Sequence, residues 1–191
     1  MNPDAYRPSP IGDVDCTATG DRWTLVFTRD LRHPPRKVWA ALTDPDQLAA
    51  WAPYTAGRDL GTPGAVTLTM IDDEKPQDLP AEVTRAEPPT LLEYTLGDDI
   101  LRWELTATGS GTRLALHHTV QARDWLPKVA AGWHLCLDVA EHLLDGDPIP
   151  PIRGMAATEF GWSELNDQYA RKFDIPNTGL PEQPRDEDTA S

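Results

Sequence analysis

Between Gly64 and Val120 the sequence passes through five short β-rich runs separated by turn residues, and this pattern constrains the fold more than any other feature of the chain. The runs are Gly64 to Ile71, Leu79 to Glu87, Leu91 to Gly97, Ile100 to Thr108 and Thr112 to Val120. Apolar side chains alternate within them: Val66, Leu68 and Met70; Leu92, Tyr94 and Leu96; Leu101, Trp103 and Leu105; Leu114, Leu116, His118 and Val120. A period of two places each set on one side of a strand, so one face of the resulting sheet is apolar and the other wet. Glu87-Pro88-Pro89-Thr90, Gly97-Asp98-Asp99 and Gly109-Ser110-Gly111 are turn chemistry, and the whole reads as an antiparallel meander.

The flanks complete the architecture. Trp23, Leu25 and Phe27 alternate with Thr24, Val26 and Thr28, which predicts a first strand. From Pro35 to Leu42, Val38, Trp39 and Leu42 recur at helical spacing with Pro35 in the first turn. Asp44-Pro45-Asp46-Gln47 then supplies an N-cap for a second short helix carrying Leu48 and Trp51. A further short strand is expected near Tyr54 to Arg58. From Asp124 to Asp145 the pattern turns helical, with Leu126, Val129, Ala130, Trp133, Leu137, Ala140 and Leu144 on one stripe and Gly146 as C-cap. Pro148-Ile149-Pro150-Pro151 interrupts the chain before another helix from Thr158 to Phe173.

This element order predicts an α+β helix-grip (START-like) fold. A curved antiparallel sheet of six to seven strands wraps around a long C-terminal helix, with two short helices after strand 1 and one extra C-terminal helix. The domain is expected over residues 22–147, with residues 148–173 as a helical extension packed on it. Residues 1–21 and 174–191, rich in Pro, Asp, Gly and Thr, read as a flexible N-terminal arm and a disordered tail. A lid on a strongly curved sheet commonly leaves a cavity, the natural place for a ligand.

The chain of 191 residues fits one such domain, and its net charge of −14 disfavours nucleic acid and anionic membranes as partners. No apolar run approaches the roughly 18 residues of a membrane span, and the N-terminus lacks the basic-then-apolar order of a secretory signal. Two cysteines far apart, Cys16 and Cys136, form no disulfide framework. These features predict a cytoplasmic protein. The oligomeric state, a homodimer among the options, is left open.

Two motifs carry a family resemblance. Pro35-x-x-Val38-Trp39-x-x-Leu42-Thr43-Asp44-Pro45-x-x-Leu48-x-x-Trp51 resembles the opening helix pair of the START-like (SRPBCC) superfamily, in the branch named after the activator of heat-shock-protein-90 ATPase. Gly132-Trp133-x-x-x-Leu137-x-x-Ala140-x-x-x-Leu144-x-Gly146 is similar to that branch's C-terminal helix. The resemblance covers about Trp23 to Gly146 and implies the helix-grip fold. It leaves function wide, because the superfamily holds ligand carriers, polyketide cyclases, hydrolases and co-chaperones.

Parity on the strands and the lid picks the candidate site residues. Trp103, Tyr94, His118 and Met70 point inward from the sheet, Arg85 shares the parity of Val83, and Trp133 and Leu137 face them from the lid. Together they predict the lining of an internal cavity that binds a small hydrophobic or amphipathic molecule. His118 as general base and Tyr94 as hydrogen-bond donor are the catalytic candidates for the alternative, a cyclase or isomerase acting on a polyketide-type or aromatic substrate. A co-chaperone-like interaction module is the third reading. No cofactor or metal site is expected: His134, Asp138 and His142 recur at i, i+4, but their face, away from the apolar stripe, reads as a solvated ladder. The sequence also holds no Gly-rich phosphate loop and no nucleophile elbow.

Overall fold

A computed structural model describes residues 6–71 and 76–179 of the chain. Eight strands form one antiparallel sheet in the order β1-β2-β8-β7-β6-β5-β4-β3. They are β1 (Asp13–Thr19), β2 (Arg22–Leu31), β3 (Tyr54–Ala56), β4 (Gly64–Met70), β5 (Gln77–Glu87), β6 (Leu91–Leu96), β7 (Asp99–Thr108) and β8 (Gly111–Val120). Helices α1 (Pro35–Thr43) and α2 (Pro45–Trp51) follow β2, and α3 (Leu126–Asp145) follows β8 after a short 3-10 turn. The helix-grip architecture is therefore present, with the seven expected strands, β2 to β8, within two residues of their expected bounds.

Local chemistry explains the joints. Asp44 caps α2, its Oδ1 accepting from the backbone N–H groups of Asp46 and Gln47. Gly146 closes α3 in the left-handed conformation. Gly111 opens β8 at φ +153°, and a Cβ there would sit 2.0 Å from the Leu31 carbonyl, so only glycine lets β8 pass the end of β2.

Several expectations need correction. The sheet has eight strands, because residues 13–19 of the arm pair with β2 from Asp13↔Thr28 to Thr19↔Arg22. The arm is thus ordered from Tyr6 onward, with Tyr6 and Val14 buried. Arg85 does not face inward. The β5–β6 register slips between Val83 and Arg85, and the extra residue reverses parity. Arg85 then points to solvent, where it pairs with Glu87 at 2.6 Å, and Ala86 takes the inner side opposite Leu92. Finally, the helical extension splits at Gly161 into a 3-10 segment (Gly154–Phe160) and α4 (Trp162–Phe173). Of the expected disordered tail, residues 174–179 are described and Ile175 is buried, while 180–191 lie outside the described residues.

The most consequential difference concerns α3. One side covers the inner face of the sheet through Trp133, Leu137 and Leu144, and the next, carrying His134 and Asp138, meets β2, α4 and the arm. His134 is fully buried and Asp138 is 6% exposed, so the expected solvated ladder is in fact an interior polar seam. Arg153, in the link to α4, donates to the Ala49 and Ala52 carbonyls and closes the C-terminal end of α2.

Candidate ligand site

The inner face of the grip is dominated by aromatic rings. Trp103 from β7 and Trp133 from α3 meet edge to face at 5.4 Å between centroids, and Trp51 from α2 touches both at 6.0 and 6.4 Å. Tyr54 and Tyr94 close the group, their rings 6.3 Å apart and Tyr54 6.5 Å from Trp133. Each ring also has a polar anchor: the Trp51 indole N–H donates to the Ala41 carbonyl at 2.9 Å, and that of Trp103 to the Tyr94 hydroxyl at 3.0 Å. The Tyr94 and Tyr54 hydroxyls share a hydrogen bond of 2.6 Å.

These five rings fill the space that parity reserved for a cavity. A void of about 10 Å³ remains toward α1, bounded by Val38, Leu42, Trp51, Leu114, Leu137 and Leu144. That is room for a single water at most, and the walls offer it almost nothing to bond. Trp103, Tyr94, Trp133 and Leu137 are brought together as expected, but as mutually packed core. Met70 lies half-buried on β4, opposite Tyr54 of β3, and Arg85 is outside.

His118 faces inward, and both of its ring nitrogens are engaged. The Trp133 indole N–H donates to Nδ1 at 2.8 Å, which places the ring proton on Nε2, where it is given to Asp99 Oδ2 at 3.0 Å. The second oxygen of Asp99 lies 3.5 Å from Arg22. Neither nitrogen is open to abstract a proton from a substrate. Burial pushes the Tyr94 phenol up to about 12, against the opposing effect of its bonds to Tyr54 and Trp103, and burial also raises Tyr54 well above the ordinary value. Both phenols are therefore neutral at physiological pH and do not serve as bases.

The grip opens at the other end of this chain. Leu96, Val120, Trp125 and Val129 line a cleft of about 330 Å³ where the sheet and the start of α3 part, with Asp98, Asp99 and Gln121 on its rim. Trp125 is 44% exposed, and the Lys128 ammonium stands 5.0 Å over its ring. Asp98 is held in place by the Gln121 amide at 3.2 Å and by Arg22, which donates to its backbone carbonyl. Sequence reading missed this cleft. Asp98 and Asp99 looked like turn residues, and the only signal was an aromatic residue, Trp125, placed just before the apolar stripe of the helix.

The seam behind α3 is a second polar assembly. Asp138 accepts from the Tyr6 hydroxyl (2.8 Å), the Ser9 backbone N–H (2.9 Å) and the Ser9 hydroxyl (2.7 Å), and pairs with Arg29 (2.8 Å). His134 Nε2–H donates to the Ser9 carbonyl at 2.9 Å, and Nδ1 accepts from the Tyr169 hydroxyl at 2.8 Å. Burial holds His134 below the usual imidazole value, and Arg29 with Ser9 outweigh burial to lower Asp138. Ser9 is no nucleophile in this arrangement, because its hydroxyl proton is given to a carboxylate and the neighbouring imidazole nitrogen carries a proton. A larger open cleft of about 490 Å³ lies between the arm and α4, walled by Tyr6, Arg7, Ile11, Phe160, Glu164 and Gln168.

Comparison with known proteins decides the family. The profile described as activator of Hsp90 ATPase homolog 1-like protein matches residues 32–145. The chain belongs to that family. No curated protein is similar enough to match. Among solved structures, EF2215 from Enterococcus faecalis aligns with a TM-score of 0.65 and 17% identity over 83% of this chain and 89% of its own. CalU16 from Micromonospora echinospora gives 0.62 and 20%, covering 83% and 96%. The protein encoded by gene BPP1335 from Bordetella parapertussis gives 0.62 and 22% over 95% of this chain and 99% of its own. That share is too large to leave out the segments beyond residues 32–145. Identities this low show the Hsp90-activator-like fold alone. Among the described residues no helix is long and apolar enough to cross a membrane.

Proposed function

We propose that this Hsp90-activator-like protein binds a small amphipathic molecule, and that the ligand seats in the cleft at the mouth of the grip rather than among the rings inside it. The helix-grip fold commonly binds ligands. The observation that carries the reading is the 330 Å³ cleft, with four apolar side chains on its walls and two carboxylates, Asp98 and Asp99, on its rim. A volume of about 300 Å³ is at the lower end of small-molecule sites, and apolar walls with a few polar groups are their usual lining. Carboxylates beside an exposed indole select a ligand with a positively charged or hydrogen-donating head and an apolar body. The Lys128 ammonium over Trp125 shows the same preference within the chain. Catalysis has less support, since the candidate base His118 has both nitrogens engaged. Two free thiols, Cys16 and Cys136, accord with a cytoplasmic setting.

The test uses decyltrimethylammonium and decyl sulfate below their micelle concentrations, followed by the indole N–H resonances of the full chain. The cation is expected to shift the Trp125 signal saturably, with affinity reduced about tenfold or more in Asp98→Asn and, followed at the Gln121 and Val129 backbone amides, in Trp125→Ala. Equal response to both detergents, or binding that ignores both substitutions, refutes the site.

A further inference from the structure

The two edges of the sheet differ. β3, at one end of the strand order, is three residues long, whereas β1, at the other, runs for seven. Its pairing with β2 is unbroken from Asp13↔Thr28 to Thr19↔Arg22, and it contains no proline, lysine or bulge to blunt it. Its only charges are Asp13 and Asp15, both exposed. Among the described residues, no backbone hydrogen bond joins residues 13–19 to any segment but β2.

The β1–β2 hairpin fixes which backbone groups are left over. Gly20 and Asp21 form a two-residue loop, with Gly20 at φ +66°, so the flanking Thr19 and Arg22 are a hydrogen-bonded pair. Such pairs recur at every second residue, and Asp13, Asp15, Thr17 and Thr19 therefore spend their backbone groups on β2. The two-residue loop Gly109-Ser110 gives the same phase from the far side. It turns the odd-numbered residues of β8 toward β7 and the even-numbered ones toward β2, which meets them with its own odd-numbered residues, Trp23 to Leu31. Val14, Cys16 and Ala18 are left presenting their N–H and C=O groups to the open edge.

We propose that β1 pairs with β1 of a second copy of this chain, antiparallel and centred on Cys16, joining two grips edge to edge. A twofold axis there sets Cys16 opposite its own copy and Val14 opposite Ala18 of the second copy. Each of these three pairs exchanges two backbone bonds, about six in all. The carboxylates select this register. On the outer side Asp13 faces Thr19 and Asp15 faces Thr17, so each carboxylate meets a hydroxyl that can donate to it. Shifting the axis to Val14 or Asp15 sets carboxylates opposite one another at about 4.5 Å, and shifting it to Thr17 brings Asp13 against Asp21 and shortens the ladder. The alternation of Asp and Thr is thus complementary to itself, which names a second copy as the occupant. On the inner side Val14 and Cys16, which pack on the core, extend the apolar face across the junction. One strand pair is a small interface and each copy carries a net charge of −14, so the dimer is weak, with a dissociation constant on the order of 100 μM that falls as salt screens the repulsion.

The experiment is sedimentation equilibrium of the full chain, with amide hydrogen exchange read by NMR at about 50 μM and about 1 mM. At that dissociation constant the free protomer falls from about 60% to about 20% of the chain, so the Val14, Cys16 and Ala18 amides should exchange about threefold more slowly at the higher concentration. The Asp15 and Thr17 amides, already bonded to β2, should not change. Thr17→Asp sets a second carboxylate opposite Asp15 of the other copy, and Ala18→Pro removes an outward N–H without touching the β2 ladder; each should weaken the dimer about tenfold or more. Oxidation by copper–phenanthroline at about 1 mM should link the copies through Cys16, whose Cα atoms stand about 5.5 Å apart in this register, while Cys136 is buried. A chain that sediments as a monomer at about 1 mM overturns the proposal. So does a dimer that leaves the three outward amides exchanging at one rate, that is equally tight in both variants, or that Cys16 does not trap.

Discussion

Replacing Leu137 by Trp separates a filled grip from a hollow one. Leu137 is 3% exposed, on the side of α3 that meets Trp51, Leu114 and the end of β8, and the adjoining void is about 10 Å³. An indole needs many times that volume, and its neighbours cannot retreat: Trp51 is held by Ala41 and wedged against Trp103 and Trp133. Overpacking a filled core costs about 1–3 kcal/mol. For a chain of this size each kcal/mol is worth about 2–4 °C, so Leu137→Trp should melt about 2–12 °C below the wild type. Scanning calorimetry, backed by urea unfolding with an unchanged m-value, reads this directly. A melting temperature equal to or above the wild type would show that α3 and the sheet enclose usable space, and the argument for a filled interior would fail.

Three further outcomes follow from the same packing. Asp138→Ala leaves Arg29 with Glu141 at 3.6 Å as its carboxylate and removes the acceptor of Tyr6 and Ser9, and should lower stability by about 3 kcal/mol in denaturant titration. Deleting residues 1–20 removes β1 together with the buried Tyr6 and Val14, and should lower stability by about 3 kcal/mol or more, whereas a truly flexible arm would leave the melt unchanged. Gly111→Ala drives a Cβ to 2.0 Å from the Leu31 carbonyl, so the β2–β8 ends must part; a loss of at least about 1–3 kcal/mol is expected, and a silent substitution would contradict the register.

Much of this fold is legible because its strands obey a period of two and its turns use Gly, Pro and Asp. Tyr94, Trp103 and His118 could be placed inward on that basis alone. Arg85 could not, since a bulge of one residue reverses parity and nothing in Val83-Thr84-Arg85 announces it. The edge strand β1 escaped notice for a different reason. Only Val14 and Cys16 of Asp13–Thr19 face the core, so the alternation is too thin to read. Burial of His134 and Asp138 depends on contacts more than 120 residues apart, with Tyr6 and Ser9, and local periodicity reports only which side of a helix is apolar. Arg29 is the exception that closer reading would have found: it shares the parity of Phe27 and Leu31, and an inward guanidinium demands an acidic partner.

Covering α3 on both sides changes what kind of motion this protein can make. In a grip whose long helix has one face in water, that helix can swing away from the sheet as a door. Here it is pinned by aromatic rings on one side and by Arg29, Tyr169 and the arm on the other. Its central amides should exchange with solvent only when the whole molecule opens, as for the most protected unit of a domain. Motion is then confined to the perimeter, at Trp125 where the helix begins and at the arm and α4 that pack beside it, while the helix itself serves as the spine against which those edges move.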